Sequence, residues 1–187
     1  AQPWTAETPK LYDATVSTDT ETVTIRIGFR SVAIAGDIIT VNGEKIVFRG
    51  VNRHEWHPRT GRTLDEQTMR ADLELMKRHG VNAIRTSHYP PNARFLDLCD
   101  EYGVWVLLEC DLETHGFERG GWDGNPTNDD RWYDCLLNRI QRTVERDKNH
   151  PAIIGWSMGN ESHCGEGIRL MNDWVKNRDP SRFTHYE

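Results

Sequence analysis

The segment Ile153-Ile154-Gly155-Trp156-Ser157-Met158-Gly159-Asn160-Glu161-Ser162 sets an amide and a carboxylic acid directly after an apolar run. A run of that length, with His150-Pro151 in front and polar residues behind, predicts a buried strand. Glu161 then stands just past the C-terminal end of that strand, where a barrel of alternating strands and helices collects its catalytic groups. An acid so placed could give up and recover a proton; in an ordinary loop it would simply cap a helix. Three other apolar stretches end in the same way. They run into Asn52-Arg53-His54-Glu55, into Arg85-Thr86-Ser87-His88-Tyr89-Pro90 and into Glu109-Cys110-Asp111-Leu112-Glu113-Thr114-His115-Gly116. Each of these residues alone fits an ordinary surface position. Four such ends on one face predict a cleft rich in acid, imidazole and amide groups. Glu113 and His115 are alternate residues of an extended segment and so point the same way. They could share one ion, and a carboxylate with few soft ligands suits Mg²⁺ or Mn²⁺ better than zinc. The E-x-H spacing is common, however, and carries little weight by itself.

The elements that must position these groups follow from periodicity. Glu21 to Phe29 alternates, with Val23, Ile25 and Ile27 on one face and Thr22, Thr24 and Arg26 on the other, which predicts a half-buried antiparallel strand. Leu11–Thr18, Ser31–Ala35 and Ile38–Val41 continue the pattern, and Asn42-Gly43 is a two-residue hairpin turn. Residues 1–45 therefore read as the end of an all-β domain. From residue 46 the period changes. Strands are expected over Ile46–Asn52, Val81–Thr86, Val104–Cys110 and Ile153–Met158, with Phe183–Tyr186 opening a fifth. Helices are expected between them, over Asp65–His79, Asn92–Tyr102, Asp130–Asn149 and Gly167–Asn177. Leu75, Trp132 and Leu137 are expected on their inward faces. Asp65 reads as an N-cap, and Gly80 and Gly103 as C-terminal stops. Four βα units in succession predict a parallel sheet but do not separate an open sheet from a barrel. No G-x-G-x-x-G follows the first strand, which removes the usual dinucleotide reading.

Composition narrows the function classes. A net charge of −6 argues against a nucleic-acid partner, and the apolar runs are too short to span a membrane. No secretory leader is visible. Cys99, Cys110, Cys135 and Cys164 are scattered without a C-x-x-C pair, so neither a zinc ribbon nor a disulfide scaffold is expected. Free thiols in a reducing, cytoplasmic compartment fit better. The 7 tryptophans suit either sugar faces or a core. Trp56 and Trp122 fit both roles, and Trp156 is expected inside its strand.

Gly50-Val51-Asn52-Arg53-His54-Glu55, Arg85-Thr86-Ser87-His88-Tyr89-Pro90, Glu113-Thr114-His115-Gly116, Arg146-Asp147-Lys148-Asn149-His150-Pro151 and Trp156-Ser157-Met158-Gly159-Asn160-Glu161-Ser162 closely resemble the β-galactosidases of glycoside hydrolase family 2. Gly28-Phe29-Arg30 extends the resemblance into the β part. The S-H-Y-P and N-E segments are shared with β-glucuronidases of the same family; E-T-H-G and R-D-x-N-H-P point to the galactosidase branch.

The resemblance implies an α/β fold. Residues 1–45 would be the last strands of an immunoglobulin-like β-sandwich, and residues 46–187 the first half of a (β/α)8 barrel, with about four βα units. It implies Glu161 as general acid/base of a retaining hydrolase acting on β-galactosides such as lactose. It implies Glu113, His115 and Glu161 as Mg²⁺ ligands, Asn160 as partner of the sugar 2-hydroxyl, and His54 and His88 as residues that bind the galactosyl ring. The family's nucleophile, a second glutamate on a later strand, has no counterpart here. A fragment, inactive alone, of a homo-oligomeric enzyme is therefore expected, needing the remaining half barrel for activity. A glucuronidase-type member is the nearest rival. A non-catalytic module that binds sugar or metal, or complements a partner chain, is the rival from another class. A metal-dependent hydrolase using Glu113 and His115 alone has the least support.

Overall fold

A computed structural model describes residues 1–187. Five strands make one parallel sheet: β6 (Gly50–Arg53), β7 (Ala83–Thr86), β8 (Trp105–Glu109), β9 (Ile153–Ser157) and β10 (Phe183–His185). They lie side by side in chain order, β6-β7-β8-β9-β10. A doubly wound sheet reverses its order at a switch point, and this one does not. Strands in unbroken chain order are what a barrel's winding requires.

The crossovers are α1 (Glu66–Arg78), α2 (Ala93–Tyr102), α3 (Tyr133–Asp147) and α4 (Glu166–Arg178). No helix is long and apolar enough to cross a membrane. Their ends obey local chemistry. Asp65 caps α1, its carboxylate accepting from the Thr68 N–H at 2.8 Å, a contact worth about 1 kcal/mol. Asn92 caps α2 in the same way, and Gly103 ends it in the left-handed region. Met69 and Leu73 of α1, Phe95, Leu96 and Leu98 of α2, and Leu136, Ile140 and Val144 of α3 are buried.

Three inward expectations need correction. Leu75 is 51% exposed and Trp132 47% exposed, and Leu137 is only half-buried. The expected helix from Asp130 begins as a 3-10 turn over Asp130–Trp132, capped by Asp129, and becomes α-helical only at Tyr133. The changed pitch moves Trp132 off the buried stripe.

The N-terminal residues form two small antiparallel sheets. β1 (Tyr12–Ser17) pairs with β2 (Thr22–Ile27). β3 (Val32–Ala35), β4 (Ile38–Val41) and β5 (Glu44–Lys45) make a meander whose last turn is Asn42-Gly43, as its sequence predicts. The expected half-burial of β2 is not met. Val23 and Ile25 are 44% and 37% exposed, and Val16 is 58% exposed. Alternation prepares an apolar face, but nothing within these residues packs on it.

This part is tied to the parallel sheet by apolar packing, with Trp4 edge to face on Trp105 at 5.0 Å and Ala6 and Val41 in the shared core, and by polar contacts. Trp4 is fully buried and donates from Nε1 to the Asp100 carbonyl at 2.9 Å. Arg30 donates from Nε to the Pro151 carbonyl at 3.0 Å and from Nη2 to the Ile153 carbonyl at 2.6 Å. A Cβ on Gly28 would lie 2.7 Å from the Pro151 ring, so only glycine lets the chain pass there. Asp100, almost fully buried, receives the Ala152 N–H at 2.9 Å and faces His150 Nδ1 at 2.6 Å. Arg146 reaches the Pro91 carbonyl and Asp147. Gly28-Phe29-Arg30 and Arg146–Pro151 are thus scaffold segments.

The His150–Asp100 pair makes stability depend on pH. Burial works to lower the His150 pKa, but the Asp100 hydrogen bond and charge outweigh it, and the net direction is upward. A histidine raised in the folded state contributes stability fully below about pH 6.5 and loses it as pH rises through the folded value. The urea midpoint should therefore fall as pH rises above about 6.5. His150→Gln should flatten that slope; an unchanged slope would contradict the assignment.

Candidate active site

The C-terminal ends of β6 to β9 open on one side. A cleft of about 790 Å³ lies there, with His54, Trp56, His88, Tyr89, Glu113 and Trp132 among its lining residues. His54 follows β6 and His88 follows β7, and their rings meet edge to face with centroids 5.3 Å apart. Trp56 is 65% exposed.

Beneath the cleft lies a buried polar layer. Glu109, the last residue of β8, has no solvent exposure. An isolated buried carboxylate would be prohibitive, so it must collect donors. Arg85 on β7 donates from Nε to its Oε2 at 2.7 Å, and Ser157 on β9 donates its hydroxyl to the same oxygen at 2.7 Å. His88 Nδ1 sits 2.6 Å from Oε1. Ser157 has spent its one proton, so the His185 Nδ1–H at 3.0 Å donates to Ser157 Oγ. Burial, helped by the Arg85 charge, lowers the His185 pKa, in keeping with a neutral ring. Arg85 also donates from Nη2 to Asn160 Oδ1 at 2.8 Å and from Nη1 to Glu187 at 2.6 Å.

Asn160 and Glu161 follow β9. Asn160 is buried, and its backbone N–H donates to the Leu112 carbonyl at 2.9 Å, bridging the two strand ends. Its side-chain amide donates to Glu113 Oε1 at 3.1 Å. Glu161 is exposed and holds φ 40, an uncommon region for an acid. Its N–H donates to the Glu187 carbonyl at 2.8 Å. The next residue, Ser162, is fully buried, and its carbonyl takes the Asn125 amide at 2.8 Å and the Thr127 hydroxyl at 2.9 Å. This box locks the loop after β8 to the loop after β9 and holds Glu161 in place.

His115 begins a 3-10 turn, His115–Gly120. Its Nδ1 lies 2.8 Å from Glu161 Oε2 and its Nε2 2.9 Å from Glu118. Trp122 stands edge-on to His115, centroids 6.4 Å apart, and stacks on His163 at 5.3 Å. The six expected site residues thus fall into three contacting pairs: His54 with His88, Glu113 with Asn160, and His115 with Glu161. His54, His88 and Glu113 line the cleft. The expected ligand trio does not converge. Glu113 turns to Asn160, and no three histidine, cysteine, aspartate or glutamate side chains cluster so as to hold a metal ion. As arranged, these residues do not fit the ion.

Residues 32–187 match the family model described as glycosyl hydrolases family 2, TIM barrel domain. The chain belongs to this family. The β-galactosidase of Arthrobacter sp. (strain B7) is 58% identical over 186 residues, 100% of this chain and 18% of that protein. The β-galactosidase of Streptococcus thermophilus is 43% identical over 197 residues, 100% of this chain and 19% of that protein. The chain therefore spans about a fifth of the length of these relatives. Among solved structures, a β-D-glucuronidase of Dictyoglomus thermophilum superposes with TM-score 0.86 at 28% identity, covering 100% of this chain and 34% of that one. A family 2 β-galacturonidase of Eisenbergiella tayi bound to galacturonate gives TM-score 0.84 at 31% identity, covering 100% and 33%.

Within this family 2 domain, the sequence pattern marks Arg85 and Glu109 only as polar strand ends. Spacing does not show their burial; a charge set directly on the end of an otherwise apolar strand is the signal for it. Trp156 is fully buried, as expected, and donates to Asp179 at 2.8 Å. All four cysteines are free.

Gly159 has φ 154, and a Cβ there would stand 2.6 Å from the Leu112 carbonyl oxygen. Gly159→Ala should therefore displace Asn160 and cost about 1–3 kcal/mol of stability. Denaturant unfolding checks this; an unshifted midpoint would contradict it.

Proposed function

We propose that this chain is the acid/base-bearing part of a retaining β-galactosidase. The observation that carries the reading is identity spread along the whole chain, 58% to a β-galactosidase, against 28% and 31% to the glucuronidase and galacturonidase structures. The site supports it chemically. Glu161 is exposed at the end of β9 with an imidazole at hydrogen-bond distance. In this reading it protonates the glycosidic oxygen as the aglycone leaves, then takes a proton from the water that breaks a covalent glycosyl–enzyme intermediate. Asn160, its amide oriented by Arg85 and Glu113, takes the sugar 2-hydroxyl, and His54 and His88 face the ring.

A retaining mechanism needs a second carboxyl group about 5–5.5 Å from the first. The reading places that nucleophile in chain outside residues 1–187, so these residues alone should be inactive. Hydrolysis by the pure 187-residue chain, abolished in Glu161→Gln, would contradict this. A Mg²⁺ or Mn²⁺ ion on Glu113, His115 and Glu161 enters only if Glu113 leaves Asn160 and His115 rotates. Titrating metal-stripped protein with MgCl₂ tests it: heat that vanishes in His115→Ala supports the site, and no heat rejects it.

The acid/base role is tested in the longer protein that the reading implies. Glu161→Gln should lower kcat on lactose by about 10²–10⁴-fold. Azide should restore turnover of a nitrophenyl galactoside, releasing β-galactosyl azide. An unchanged kcat would overturn the role of Glu161. A β-glucuronide hydrolysed faster than the matching β-galactoside would favour the glucuronidase-type reading instead.

A further inference from the structure

We propose that Glu109 is a positioning residue that sets both sugar-facing sides of the site, holding His88 in the tautomer protonated at Nδ1 and, through Arg85, holding the Asn160 amide in one orientation. The inference rests on the sugar-binding reading of His88 and Asn160, and it adds a residue that this reading leaves without a role.

Donors and acceptors decide the tautomer. An ionised carboxylate only accepts hydrogen bonds. Glu109 Oε2 is already taken by Arg85 and Ser157, and Oε1 faces His88 Nδ1 at 2.6 Å. Nδ1 must therefore carry a hydrogen. The ring then offers Nε2 to the cleft that His88 lines. Nε2 has no partner within the chain and is not buried. In a neutral ring it is an acceptor, ready for a sugar hydroxyl. Without the carboxylate either nitrogen could hold the hydrogen, and binding-competent population would be lost to the wrong tautomer or to ring rotation.

The second arm runs through the guanidinium. Arg85 spends Nε on Glu109 and Nη2 on Asn160 Oδ1. The Asn160 nitrogen is thereby turned to Glu113 Oε1 at 3.1 Å. A planar guanidinium anchored at one edge presents its other donors at fixed angles. One fully buried carboxylate thus orders groups after two different strands.

The test reads the imidazole directly. Ring ¹⁵N shifts of His88 in the 187-residue chain, recorded where the ring is neutral, should show Nδ1 protonated and Nε2 bare. Wild-type protein with Nε2 protonated overturns the proposal without any variant. Glu109→Gln should lose the single tautomer, whereas Ser157→Ala, which removes a donor to Glu109 but leaves its charge, should keep it. A folded Glu109→Gln protein that retains the Nδ1–H tautomer overturns the proposal. If Glu109→Gln does not fold, Glu109→Asp, which withdraws the carboxylate by one methylene, replaces it under the same criterion. In the longer active protein, Glu109→Gln should lower kcat/KM at least about tenfold, the scale on which outer partners of a working histidine act. An absence of glycosidase activity would sink the functional reading and leave the tautomer result standing. Activity with the opposite tautomer would sink this inference alone.

Discussion

The burial of the Glu109 carboxylate is the constraint on which the site depends. A charge with no solvent exposure is tolerated only where donors surround it. The donors come from neighbouring strands, Arg85 on β7 and Ser157 on β9, and from His88 just after β7. That requirement couples strand order, strand register and loop geometry. Glu109 lies opposite Ser157 in the parallel register of β8 and β9, and Arg85 lies opposite Leu107 two residues back. A slip of one residue would turn Arg85 or Glu109 to the other face of the sheet. The polar layer therefore specifies the register as much as the apolar core does.

The segments that carry the family resemblance divide by physical role. Asn160-Glu161 and Glu113–His115 present groups to the solvent side of the strand ends. Arg146–Pro151 and Gly28–Arg30 work at the junction between the small N-terminal sheets and the barrel wall, where Arg30 and Asp100 satisfy backbone groups around Pro151 and Ala152. These residues touch nothing in the cleft. Their effect on the site is to anchor the start of β9, the strand that delivers Glu161.

Most of the architecture was legible from local chemistry. The cap at Asp65, the stop at Gly103 and the turn at Asn42-Gly43 each fixed a boundary. The continuous apolar strands gave the sheet type, because strands covered on both faces do not alternate. The failures have physical causes. Val23 and Ile25 alternate as a buried face should, yet burial depends on a partner surface that periodicity cannot supply. Trp132 missed the core because a 3-10 turn precedes α3. Glu113 and His115 share a face in an extended chain, but the chain bends into a 3-10 turn at His115, and Asn160 captures Glu113. The network around Glu109 joins residues far apart in sequence, so no spacing rule could show it.

In the proposed function, the C-terminal ends of the strands bind a galactosyl ring and present Glu161 to its glycosidic oxygen. A crystal structure of the protein with a non-hydrolysable β-galactoside analogue is the decisive experiment. The 2-hydroxyl is expected on the Asn160 side chain, the ring beside His54 and His88, and the glycosidic heteroatom within hydrogen-bond distance of the Glu161 carboxyl. A ligand bound elsewhere, or seated in the cleft with its glycosidic position turned away from Glu161, would contradict it.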